Sequence, residues 1–387
     1  MAEIKEIRDA MRKKKRNRNI RRISILIILL ALVVMVIVNR DRLTPEAISQ
    51  WLEGSISAGG EGEGFPVNLP SGETVSLLSA GSNIALTNQT NVYFYSPRGK
   101  RLRNVQHSCK NVQSKAAGNN LLVYSVGANT VRVETNTKTA VSMTTDNPIT
   151  TGAISKNGRF ALSTESDVYT SEMKVYDKNG NAVFKWTPSG AVITSLALSD
   201  DGHYVAAATV YTKGGKIMSG IYLFTTGKSE ALLSYNIEDE IVRSLYCDKN
   251  SVRVITDSRA FCVDKKGELK GNISFEEKKL IGIDETQNGN LLVFRDVNDP
   301  SKSVLTVINQ NAEVTAEASV PHAVKAVACG GDDVFMITDE LLLCYEASTA
   351  IKTGESAIEH DAESLCATSA GAFVITSASE LIAPEVK

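Results

Sequence analysis

The stretch VITDSRAFCVD, residues 254–264, is echoed in register by MITDELLLCYE, residues 336–346. Each is an apolar run ending in Thr, a short polar turn, and a second apolar run. Cys247 falls opposite Cys329, and Cys262 opposite Cys344. The phrase occurs twice more, as IALTNQTNVYFY (84–95) and AFVITSASELIA (372–383). Thr87, Thr256, Thr338 and Thr376 then hold equivalent places, and Tyr93, Cys262, Cys344 and Ile382 follow six residues later. Apolar runs of this length, bounded by turn residues and lacking helical periodicity, predict an all-β fold.

Two further signatures complete the unit. VYDKNGNAV, FYSPRGKRL and CVDKKGELK each read as strand, Gly-containing turn, strand, the Gly supplying the positive φ of a tight hairpin. LALSDDGHYVAAA and GAISKNGRFALST place a Ser-x-x-Gly turn between two strands. The unit is therefore four antiparallel strands. It starts near Val75, Val112, Ile149, Val192, Ile241, Leu280, Val324 and Glu363, at spacings of 37 to 49 residues. That period is the one a propeller blade requires. Eight blades are expected, with seven as the alternative. The last unit shows only three strands, and GFPVNL (64–69) can supply the fourth, closing the ring and removing sheet edges.

Ahead of the repeats lies a segment of different character. Residues 1–22 hold ten Lys/Arg against Glu3, Glu6 and Asp9, among them Arg12, Lys13, Lys14, Lys15, Arg16, Arg18, Arg21 and Arg22. Residues 23–38, ISILIILLALVVMVIV, contain one Ser and no charge. At about 1.5 Å per residue they fall short of a hydrocarbon core of about 30 Å, and the stems of Arg21 and Arg22 extend the span by snorkelling. Cations before the apolar run predict a cytoplasmic N-terminus, a single-pass signal-anchor in the cytoplasmic membrane, and a body outside it. NRDRLTPE follows the run where a cleaved signal peptide would place small residues. The eight cations are expected to touch anionic lipid. Residues 39–64 read as a stalk, with a short helix capped by Thr44 and a Gly-rich linker, SAGGEGEG. The formal net charge of −2 conceals a body at about −9 once residues 1–22 are set aside, which excludes a nucleic-acid-binding design for residues 65–387.

On these repeats the chain resembles WD-repeat-like and quinoprotein-like propellers over about residues 65–387. With its basic tail, single apolar span and GFPV after a Gly-rich stalk, it also resembles an uncharacterised bacterial family, a domain of unknown function. That resemblance implies a fold and a topology but no activity. The Trp-Asp pair of true WD repeats is absent, and a Gly-His pair occurs only at Gly202-His203.

Motifs for chemistry are sparse. The six Cys include no C-x-x-C pair. Cys247 and Cys262 should lie on the first and third strands of one blade, roughly 10 Å apart, too far for a disulfide, so free buried thiols are expected. The four His form no i, i+4 pair, and the chain has no G-x-S-x-G elbow. Asp200-Asp201 and Asp332-Asp333 are turn acids whose default role is solvation. No cofactor is expected. Three segments joining second and third strands are longer than the rest: Thr164–Glu172, Val210–Gly220 and Arg295–Ser303. Extra length on one face points to a binding surface, with Tyr169, Tyr211, Lys213, Lys216, Met218, Asp296 and Asp299 as candidate contacts. The expected function is a membrane-anchored module that binds or scaffolds an envelope or membrane protein. The alternative is a propeller enzyme or ligand sensor working from the central channel.

Overall fold

The two echoed stretches occupy the second and third strands of two separate sheets, as Ser251–Thr256 with Arg259–Asp264 and as Asp333–Ile337 with Leu341–Glu346. In these two stretches the repeated Thr closes the turn, whereas the equivalent Thr376 hydroxyl has no hydrogen-bond partner among the described residues. Thr256 Oγ1 donates to the carbonyl of Arg259 and accepts its N–H, both at 3.0 Å. Thr338 Oγ1 likewise accepts the Leu341 N–H at 3.0 Å. One buried hydroxyl thus closes the turn between two apolar strands and satisfies backbone groups that the turn leaves unpaired.

The computed structural model describes residues 64–70, 74–276, 278–286 and 289–386. These form eight four-stranded antiparallel sheets, each ordered first to fourth from the inner strand outward. The inner strands begin at Thr74, Val112, Ile149, Val192, Val242, Lys279, Ala326 and Ala362, within two residues of the expected starts. The expected basic tail, membrane span and stalk lie outside the described residues, except Gly64. Among the described residues no helix is long and apolar enough to cross a membrane.

The eighth sheet closes the ring as the repeats imply. Its outer strand is Val67–Asn68, from the start of the propeller, paired with Glu380–Ile382 through Val67 and Leu381. Phe65 packs against Phe373 in a tilted arrangement with ring centroids 5.7 Å apart.

Eight apolar clusters fill the eight blade interfaces, one each. Phe261 packs between blades four and five, Phe160 between two and three, and Phe373 between eight and one. Each interface is a sheet-on-sheet core built from alternate strand residues. Because the ring and all its interfaces lie within the compact unit Gly62–Lys387, that unit contains its entire core. Inner strands carry a register shift near their start in six blades, for example between Ile193 and Ser195. Such bulges increase local twist, which lets strands fan from the axis.

Cys247 and Cys262 sit on the first and third strands of blade five, and all six thiols are unbridged. Cys262 and Cys344 occupy equivalent core places as small apolar side chains.

Candidate functional site

Strand direction assigns every loop to a face. Turns between second and third strands share one face, here the upper, with the segments joining one blade to the next. Turns between first and second and between third and fourth strands lie on the lower face. Val67–Asn68 runs upward, antiparallel to Glu380–Ile382, so Gly64 and the C-terminal residues 383–386 both lie at the lower face. The upper face carries neither end of the described chain.

Blade four projects furthest on that upper face. Its second and third strands, Tyr204–Lys213 and Lys216–Thr225, are ten residues each, where the corresponding strands of other blades have three to seven. The segment Val210–Gly220, expected as a loop, is therefore mostly strand. The cause is the turn Gly214-Gly215, with φ of +62° and +81°, which reverses the chain in two residues and lets the ladder run to Lys213 and Lys216. Residues 165–171 and 296–302 are loops, as expected.

The hairpin is ordered by its own blade. Tyr211 pairs with Met218 across the ladder, and its Oη donates to Asn236 Oδ1 at 3.2 Å on the fourth strand. Lys216 forms an ion pair with Glu238, while Lys213 is exposed beside the turn. Tyr169 lies on the neighbouring blade, half exposed at 50%, in a loop turned by the Ser166 hydroxyl, which accepts its N–H. Asp296 and Asp299 stand apart on blade six and shape their loop. Asp296 Oδ1 accepts the N–H groups of Asn298 and Asp299, and Asp299 pairs with Lys302 at 2.8 Å. Lys302 and the Ser301 hydroxyl hold the Asp299 carboxyl down at about 2. The eight membrane-contact cations, Arg12 to Arg22, lie outside the described residues.

Sequence reasoning picked out Tyr169 but missed the other apolar members of this face. Among the described residues eleven large hydrophobic side chains are exposed, and six lie on the upper face of blades three to six: Val168, Tyr169, Val192, Ile217, Ile241 and Val297. Val168 is 82% exposed and Val297 53%. The signal was a β-branched residue inside a polar turn, as in SDVYTS and RDVNDP. Strand order puts these turns on one side, and only the ring order shows that they share one sector. Exposed apolar residues gathered on one face mark an interaction surface, whereas scattered ones are ordinary.

The central channel has a different character. It encloses about 1250 Å³ and is lined by the inner strands of all eight blades. Its charged lining residues come from blades two to six, with buried polar contacts from Arg253 on blade five and Asp284 on blade six. The Asp284 carboxylate accepts the N–H groups of Cys329 at 2.6 Å and Glu285 at 2.8 Å, tying blade six to blade seven. Arg253 Nε donates to Asn290 Oδ1 and the guanidinium lies over the Tyr246 ring, tying blade five to blade six. Burial raises the carboxyls of Asp284 and Glu285. Glu285 lines the channel, exposed to its interior but surrounded by the inner strands. Burial also pushes the Tyr246 phenol up to about 12, and burial with the nearby Asp284 carboxylate pushes the Cys329 thiol up to about 12. Asp284 spends a hydrogen bond on the contact between blades six and seven, and the raised Tyr246 and Cys329 groups favour their neutral, protonated forms. Among the described residues no three His, Cys, Asp or Glu converge as ligands for a metal ion.

Comparison with known proteins agrees with this geometry. A family profile described as a family of unknown function (DUF5711) matches residues 67–381. No curated protein matches the chain by sequence. The C-terminal WD40 domain of Sif2 is similar in structure, with a TM-score of 0.58, 11% identity, and coverage of 85% of this chain and 100% of that one. Sqt1 of Saccharomyces cerevisiae (10% identity) and the computationally designed Ika8 (14%) each give a TM-score of 0.58, covering 83% of this chain and 98% of theirs. Likeness at such identity establishes the propeller fold alone, since one fold hosts many functions.

Proposed function

This chain belongs to the DUF5711 family, a family of unknown function, and from that premise we propose that it is a membrane-anchored scaffold whose propeller captures an envelope or membrane protein. The observation that carries the reading is the gathering of Val168, Tyr169, Val192, Ile217, Ile241 and Val297 on the upper face of blades three to six. The projecting hairpin stands among them, and both described chain ends lie on the opposite side. The anchor rests on the uncharged run 23–38 behind a block of cations, a charge order that favours a propeller outside the cytoplasmic membrane.

The test is in-cell crosslinking and affinity capture of the full chain, wild type against Val168→Ser/Tyr169→Ser/Ile217→Ser. Point changes are preferable to deleting Val210–Gly220, because that deletion would remove strand pairing of blade four. A partner captured by wild type and lost in the triple variant, with thermal stability unchanged, supports the scaffold. A partner retained by the variant refutes the upper face as the contact. Topology is read separately with a Cys placed in SAGGEGEG. An impermeant maleimide should label it with the cytoplasmic membrane intact, and labelling only after permeabilisation would sink the N-in orientation.

A further inference from the structure

Charge is distributed around the ring by sector. Residues 74–148, blades one and two, hold eight Lys/Arg and two Asp/Glu, whereas residues 301–386 hold three and thirteen. The excess of cations in the first sector is directed downward. Exposed cations in the lower-face turns and strand ends of blades one to three include Arg101, Lys138, Lys156 and Lys178. The only acid in those turns is Asp177, whose carboxylate is engaged by the Asn179 and Asn181 N–H groups and the Asn181 amide. Lys156 is tied to Asp200 of blade four at 2.7 Å. At the lower end of the third strand of blade two, the buried Glu134 carboxylate is shared between Arg103 and Arg132, which leaves these three groups with a net positive charge.

The position of this sector on the ring matters. Blade one adjoins blade eight, whose outer strand Val67–Asn68 brings the chain into the propeller from Gly64, also at the lower face. We infer that the lower rim of blades one to three rests on anionic lipid headgroups of the membrane that anchors the chain. Charge complementarity and the entry point on the same face both select that occupant. The contact rests on the anchoring proposed above and extends it: it turns the lower face to the bilayer and leaves the upper face open to a partner. Such an attraction acts within a screening distance of about 8 Å at physiological ionic strength, so it needs cations exposed at the rim itself.

The test uses the compact unit Gly62–Lys387, which contains its whole core, with vesicles of phosphatidylcholine alone or mixed with phosphatidylglycerol. Co-sedimentation should require phosphatidylglycerol and fall with added salt. Each basic residue near such a surface contributes roughly a five-fold change in partitioning. Arg101→Gln/Lys138→Gln/Lys178→Gln should therefore weaken binding roughly 100-fold, while the upper-face variant Lys213→Gln/Lys216→Gln should change it less than about two-fold. Binding without dependence on phosphatidylglycerol, or equal loss in the two variants, overturns the contact. Tighter binding to polyglutamate or RNA than to the anionic vesicles overturns lipid as the occupant. Failure of the anchor itself is read independently, as full-length protein recovered in the soluble fraction of cells.

Discussion

Removing the Glu134 carboxylate tests whether the interface between blades one and two depends on a buried charge. Glu134 is fully buried at the end of a third strand, Thr130–Glu134, and accepts three donors. Arg103 Nη1 lies at 2.8 Å, Arg132 Nε at 2.7 Å and Thr139 Oγ1 at 2.8 Å. Arg103 comes from blade one, so the carboxylate joins two blades. In Glu134→Ala both guanidinium groups stay, with side chains only 17% and 19% exposed, and lose their counter-charge. Deleting one partner of a buried pair costs about 3–5 kcal/mol, against about 0–1 for an exposed pair. Arg103 retains the Thr135 carbonyl and the Thr139 hydroxyl, which favours the lower end, about 3 kcal/mol. At about 2.1 cal/mol/K per residue, a propeller of about 320 residues unfolds with roughly 0.7 kcal/mol/K, so Tm should fall by about 4–5 °C. Differential scanning calorimetry of wild type, Glu134→Gln and Glu134→Ala reads this directly. Gln retains the volume and one acceptor and should lie between the other two. A Tm for Glu134→Ala within about 1 °C of wild type would refute the reasoning, because the pair would then behave as a solvated surface contact.

Two other outcomes follow from the channel groups. Burial raises the Glu285 carboxyl in the fold, with Arg253 opposing, so the folded state holds this proton to higher pH than the unfolded chain. The stability linked to it is complete below the ordinary value of about 4.5 and is lost as pH rises through the raised one. Denaturant titrations should show Glu285→Gln gaining on wild type between acid and neutral pH, and a parallel pair of pH profiles would contradict this. The six unbridged thiols should be silent in the fold, since burial raises Cys247, Cys329 and Cys366. A chromogenic disulfide reagent at pH 8 should titrate none before unfolding and all six after it; rapid reaction of any one in the folded protein would refute its assigned environment.

The sequence by itself determined the repeat. Thr256, Thr338 and the Gly-containing turns form hydrogen bonds with residues two to four positions away, so their spacing records local geometry and survives in the one-dimensional pattern. The alternation of apolar residues fixes which side chains enter the blade interfaces, and the missing strand of the last unit foretold Val67–Asn68. Cys247 and Cys262 could be separated by counting strands alone. The tertiary structure decided what lies at a distance. The Gly214-Gly215 turn made Val210–Gly220 a hairpin, and the fourth strand, Ala231–Glu238, supports it up to Met218. Glu134 gained its meaning from Arg103 on another blade, 31 residues away. Val168, Ile217, Ile241 and Val297 are single apolar residues in separate turns, and nothing local relates them. They share a face because an even number of antiparallel reversals returns each such turn to the same side, and they share a sector because the ring sets consecutive blades next to one another.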